Sequence, residues 1–145
     1  MSVGRICTRS TDVSDAMESV QVAARRMLDR NVGCLVVVNQ RQEPVGIVTD
    51  RDLALRVLSA SKDPGTTVVG DVMTAEVKTV SENTSIEDAL RIMRLGPYRR
   101  VPVTDAINVL IGVISLDDIL DLLTEEFNSI GKLLRKEGPA VLASA

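Results

Sequence analysis

Two rhythms of apolar residues alternate along the chain. Val20, Ala23, Ala24, Met27 and Leu28 fall three and four apart, as do Ile86, Ala89, Leu90 and Met93. That is the spacing of one helix face, and it predicts two amphipathic helices. Continuous apolar runs at residues 35–38, 45–48, 101–103 and 111–114 are short enough for strands covered on at least one face by helices. Shorter strands are expected at Val13-Ser14 and at residues 77–80, and further helices at 51–59 and from Leu116 to about Glu126. Ser85, followed by Glu87 and Asp88, caps and charges the start of one helix. Gly96-Pro97 stops that helix, and Asn31 and Gly33 stop its counterpart less firmly.

The elements come in the same order twice: strand–helix–strand–strand–helix. A constant shift of 66 (112 − 46) lays residues 5–61 over 71–127 without a gap. It pairs Thr8 with Thr74, Ser19 with Ser85, Met27 with Met93 and Val37 with Val103. A tandem repeat of this length builds a two-fold arrangement, so a polar motif carried in both copies marks a pair of sites. Residues 3–62 form the first repeat and 69–127 the second, with the turn-rich 62–65 between them. Residues 128–145 form a helical extension, ended by Gly138 and Pro139, and then a loose tail. In that extension Phe127, Ile130, Leu133 and Leu134 keep helical spacing, either to pack back on the core or to dock a second subunit.

The repeated motif is a strand ending in Gly, two apolar residues, then Thr or Ser, with Asp three residues later: Gly46…Thr49…Asp52 and Gly112…Ser115…Asp118. Across a strand-to-helix turn this spacing brings hydroxyl and carboxylate together at the helix start. A carboxylate there can accept both hydrogen bonds of a vicinal diol such as a ribose, with the hydroxyl beside it as donor or acceptor. The same spacing also makes a helix capping box. Its appearance twice after apolar strands favours the ligand reading.

These motifs resemble the CBS domain, the regulatory module named after cystathionine β-synthase. Asp71-Val72-Met73-Thr74 resembles the opening of a second copy, residues 99–105 its central strand, and residues 46–53 and 112–119 the closing motif of each copy. The resemblance implies an α+β fold in which two tandem CBS-type β-α-β-β-α repeats form a pseudo-two-fold disc with two clefts. It implies a regulatory adenosine ligand (AMP, ADP, ATP, NAD or S-adenosylmethionine), no catalysis of its own, homodimer assembly and an effector protein of unknown identity. A dimeric interaction scaffold with vestigial sites is the alternative. Carried over by motif, Thr49, Asp52, Ser115 and Asp118 would hold ribose hydroxyls.

The repeats differ in charge. Arg99 and Arg100 precede the central strand of repeat two, where repeat one has Gly33 and Cys34; Arg51 stands in the first motif, where the second has Asp117. An arginine fork suits phosphate, so Arg51, Arg99 and Arg100 mark one phosphate-competent cleft, while Arg99 and Arg100 equally suit a solvated strand edge. The Thr49/Asp52 cleft is therefore expected to be the stronger nucleotide site. Tyr98 and Phe127 are the only aromatics, so the base would be held by aliphatic walls, with Val13, Val80, Val101 and Pro102 as candidates or as core.

Composition narrows the partners. A net charge of −3 and scarce aromatics argue against a nucleic-acid partner. No apolar run approaches the ~20 residues of a membrane span, and the N-terminus lacks an apolar leader, so a cytoplasmic protein is expected. There is no histidine, and Cys7 and Cys34 have no metal-ligand spacing, so neither a metal site nor a catalytic base is expected. Cys34, at the head of an apolar run, reads as a small buried hydrophobe.

Overall fold

The computed structural model describes residues 1–96 and 98–137; Pro97, Gly138 and Pro139, read above as helix stops, lie outside the described residues. Repeat one comprises β1 (Val13–Ser14), α1 (Val20–Arg30), β2 (Cys34–Val38), β3 (Pro44–Thr49) and α2 (Asp50–Leu53), which widens into a π turn over Ala54–Leu58. Repeat two comprises β4 (Thr74–Ala75), β5 (Val80–Ser81), α3 (Ile86–Leu95), β6 (Arg100–Thr104), β7 (Leu110–Ser115) and α4 (Leu116–Glu137).

Local chemistry accounts for the helix ends. The Ser19 hydroxyl accepts from the Val22 N–H, and Ser85 accepts from Asp88, each satisfying an orphan donor of a first turn. Asn31 closes α1 in the left-handed region at φ 53°, a conformation asparagine tolerates better than most residues.

Three expectations need correction. The strand expected at 77–80 begins only at Val80, because Glu76 at φ 54° turns the chain away and just Val80 and Ser81 lie beside β6. Ala24 and Leu28 leave the buried stripe of α1, which consists of Val20, Ala23 and Met27. Leu90 likewise is exposed on α3, whose buried stripe is Ile86, Ala89 and Met93, whereas the helical extension expected past Glu126 is present, as an unbroken continuation of α4 to Glu137.

Sheet order shows how the repeats join. The first sheet runs β1-β2-β3-β4 and the second β5-β6-β7. In each, the short first strand lies parallel to the central strand, and the next pair is antiparallel. The fourth strand of the first sheet belongs to repeat two: Thr74 sits opposite Ile47 on β3. Repeat one returns the exchange through the bridge between Thr8 and Val113 on β7. Both residues of the first pair, shifted by 66, give the second.

The exchange extends into the cores. The single-turn 3-10 helix Val3–Arg5 hangs on repeat two, with the Val3 and Gly4 N–H groups donating to the Thr84 and Glu82 carbonyls. Its counterpart Val69–Asp71 hangs on repeat one, where Val69 and Gly70 donate to Glu18 and Ala16. Val3 is fully buried among Val80, Ala89, Val101, Val103, Ile114 and Ile119. Val69 and Val72 are buried among Val20, Ala23, Leu35, Val37 and Val48. Each such side chain contributes about 1.5–3 kcal/mol of burial to the other repeat's core.

The motif glycines belong to the same exchange. A Cβ on Gly112 would lie 2.6 Å from the Thr8 carbonyl oxygen, and one on Gly46 would run into the Met73 sulfur. Only glycine lets the opposite repeat's opening segment lie this close to the closing strand.

Candidate functional site

β3 delivers Thr49 to the start of α2, and β7 delivers Ser115 to the start of α4. At both junctions hydroxyl and carboxylate form a reciprocal pair. Thr49 N–H donates to Asp52 Oδ2 at 2.9 Å and Asp52 N–H to Thr49 Oγ1 at 3.2 Å. Ser115 N–H donates to Asp118 Oδ2 at 2.9 Å and Asp118 N–H to Ser115 Oγ at 3.1 Å. Both are capping boxes, and both hold a carboxylate at a helix N-terminus, where the dipole favours it. The capping and ligand readings of the motif are thus compatible: one oxygen of each carboxylate serves the backbone and the other is left.

The left-over oxygens differ. Asp52 Oδ1 lies 3.8 Å from Arg56 Nε, and Arg56 also donates to the Val72 carbonyl at 2.9 Å. Among the described residues Asp118 has no ion-pair partner.

Two clefts adjoin these junctions. One, of about 390 Å³, is lined by Gly33, Cys34, Ile47, Thr49, Asp50, Arg51, Arg99 and Arg100. It gathers the first motif's hydroxyl with all three arginines singled out from the sequence; Asp52 is not on its wall. The other, of about 320 Å³, is lined by Ser115 and Asp118 together with Arg100, the opening segment of repeat one (Thr8 and residues 10–12), and the loop after α1. Arg100 and Cys34 line both.

Charge is distributed unequally. The first cleft has three guanidinium groups against Asp50, and the second has Arg100 against Asp12 and Asp118. Arg99 also reaches Asp117 at 3.8 Å, with both side chains largely exposed, so that contact holds it weakly. Burial pushes the Cys34 thiol up to about 11 against the opposing pull of Arg100. A thiol so raised stays protonated at neutral pH and is a poor nucleophile.

Of the aliphatic residues named as base walls or as core, three take the buried alternative. Val80 and Val101 are buried in the core of repeat two, and Pro102 is buried within β6. Val13 lies outside both clefts, on a third cavity of about 540 Å³ beside Glu18 and Arg26. The cleft walls instead include Ile47, Val36, Val113 and Cys34. Sequence reasoning missed these because alternation along β2, β3 and β7 leaves open which residues face the opposite repeat. The 66-residue shift carried a usable signal, since it makes Ile47 and Val113 equivalent.

The family model for the CBS domain matches residues 3–59 and again 69–125. The chain is 37% identical over 124 residues to YlbB of Bacillus subtilis, covering 85% of this chain and 81% of that protein. It is 39% identical over 102 residues to the CBS domain-containing protein YhcV of the same organism, covering 70% and 71%. It spans 62% of the length of a further relative, MK0525 of Methanopyrus kandleri, at 34% identity over 84% of this chain. Among solved structures, CBSX2 in complex with AMP superposes with a TM-score of 0.72 at 28% identity, over 86% of this chain and 96% of that one. Hypoxic response protein I with two coordinated zinc ions superposes at 0.76 with 27% identity, over 83% and 98%. The chain therefore belongs to the CBS-domain family and carries two CBS domains in tandem.

Proposed function

We propose that the chain is a regulatory sensor of a phosphorylated adenosine compound, without catalysis of its own. The observation that carries this reading is the gathering of Arg51, Arg99 and Arg100 with Thr49 around one cleft. A guanidinium binds phosphate oxygens in pairs, and three of them favour an anion in a way the other cleft, with Asp12 and Asp118, does not. In this reading Thr49 and the adjoining Asp52 take the ribose hydroxyls. The ligand has AMP, ADP, ATP or NAD as candidates, and S-adenosylmethionine fits less well, because its sulfonium would face the arginines. The AMP complex of CBSX2 supports an adenosine ligand for a chain of this family. Ligand binding would act on an effector only through different affinity for two arrangements of the repeats.

A second reading is a scaffold with vestigial clefts, in which the motif carboxylates serve only as helix caps. Isothermal calorimetry with AMP, ATP, adenosine and S-adenosylmethionine separates the two. The sensor reading expects AMP or ATP to bind more tightly than adenosine and to lose that advantage in Arg99→Ala/Arg100→Ala. Absence of binding by every one of them leaves the scaffold.

A further inference from the structure

One contact distinguishes the first motif from the second. Arg56 stands four residues after Asp52, and its guanidinium reaches in two directions. Its Nε lies 3.8 Å from Asp52 Oδ1, the carboxylate oxygen that the capping box leaves over. Its Nη1 donates to the Val72 carbonyl at 2.9 Å and to the Met73 carbonyl at 3.3 Å. Those carbonyls belong to the opening segment of repeat two, just before β4 pairs with β3. A single side chain thus joins the candidate ribose carboxylate to the place where the repeats exchange strands.

The local backbone puts Arg56 there. Ala54–Leu58 is a π turn, closed by the Ser59 N–H on the Ala54 carbonyl at 2.9 Å. The extra residue in such a turn re-aims the side chains it carries, and π turns recur at functional sites. The equivalent residues of repeat two, 120–124, continue as regular α-helix.

Repeat two carries the motif without this contact. The 66-residue shift sets Leu122 (56 + 66) against Arg56, and Val72 and Met73 against Ile6 and Cys7. Leu122, Ile6 and Cys7 all pack on the core of repeat two, so apolar packing replaces the polar strut. Asp118 has no ion-pair partner among the described residues, and it lines its cleft. Asp52, with Arg56 beside it, does not line its own.

We propose that Arg56 is a positioning residue that competes with a ligand diol for Asp52 and passes the outcome to the opening segment of repeat two. This role rests on the sensor reading of the first cleft. A ribose that engages Asp52 Oδ1 takes it from Arg56 and leaves the guanidinium to the two carbonyls alone. The coupling is reciprocal: the ion pair weakens the ribose contact by as much as the ribose weakens the ion pair.

Calorimetry and hydrogen exchange test this. Arg56→Leu installs the residue that repeat two carries, at a half-exposed position, so the fold should persist in a thermal melt. The ratio of AMP to 2′-deoxy-AMP affinity should rise about threefold, the scale of a half-exposed ion pair, and phosphate contacts cancel in that ratio. In the wild type AMP should quicken amide exchange at residues 72–75, whereas binding by itself slows exchange; in Arg56→Leu it should only slow it. Arg56→Lys keeps the charge without the fork, and should restore the ratio but not the exchange response. Should Arg56→Leu not fold, loss of the exchange response in Arg56→Lys decides. An unchanged ratio in Arg56→Leu, or an exchange response that survives either substitution, would overturn the proposal and leave the sensor reading standing. A wild type that binds neither AMP nor 2′-deoxy-AMP would overturn both.

Discussion

Cys34 and Arg100 occupy equivalent positions of the two repeats, each at the start of a central strand, and together they line both clefts. The chain has thus put a neutral, half-buried thiol and a guanidinium at matching places of its two repeats. Burial holds the thiol up at about 11, and Arg100 draws it down. Arg100→Gln should raise that value further and slow alkylation of Cys34 at alkaline pH, measured by thiol labelling. The same substitution should weaken AMP about tenfold, as expected for a lost charge-assisted hydrogen bond, while leaving adenosine nearly unchanged.

The capping boxes allow fold and binding to be separated. Asp52→Asn and Asp118→Asn each remove the negative charge and weaken a cap, and should cost about 0.5–2 kcal/mol in denaturant unfolding. Their effects on stability should be similar, because the two boxes have nearly the same geometry. Their effects on AMP should not be: Asp52→Asn should reduce affinity more, if the arginine-rich cleft is the nucleotide site. Calorimetry with AMP and 2′-deoxy-AMP checks this, since a lost ribose contact narrows the difference between the two ligands.

Interlocked cores predict that the repeats unfold together. Val69→Ala removes a side chain that repeat two lends to the core of repeat one, and should cost about 2 kcal/mol. Gly112→Ala should be at least as damaging, because its Cβ meets a backbone carbonyl that cannot swing aside. In both variants circular dichroism should still record one transition at a lower temperature. Two separate transitions would show that the exchange of opening segments does not couple the halves.

Acid sensitivity has a local source in repeat one. Arg26 donates to both carboxylate oxygens of Glu18, at 2.7 and 2.8 Å, and also to the Val13 carbonyl, fixing β1 against α1. These hydrogen bonds hold the Glu18 carboxyl below its usual value of 4.5. A depressed carboxyl contributes stability in full above its unfolded value and loses it as pH falls through the folded one. Stability should therefore decline below about pH 4.5, and the decline should be shallower in Glu18→Gln. Ile92 holds the position equivalent to Arg26 in repeat two, so no matching effect is expected there.

Much of this molecule was legible in its sequence, because repetition and periodicity are properties of the chain itself. The 66-residue shift determined the duplicated order of elements, and helical spacing at Val20, Ala23 and Met27 determined a buried face. Gly46 and Gly112, followed by hydroxyl and carboxylate, determined where each strand turns into a helix. Partners across the fold were not legible. That Thr74 lies along β3 and Thr8 against Val113, that Val3 fills the second core and Val69 the first, depends on which segments meet in space. For the same reason the sequence left Val80 and Val101 open between a ligand wall and the core, and packing encloses them in a core. Likewise it identified the apolar stripe past Glu126 without deciding whether it packs inward. Only the tertiary structure carries α4 beyond both cores and leaves Phe127 and its neighbours bare. Local pattern sets the direction of each side chain relative to its own element; what it faces is set by the elements that pack there.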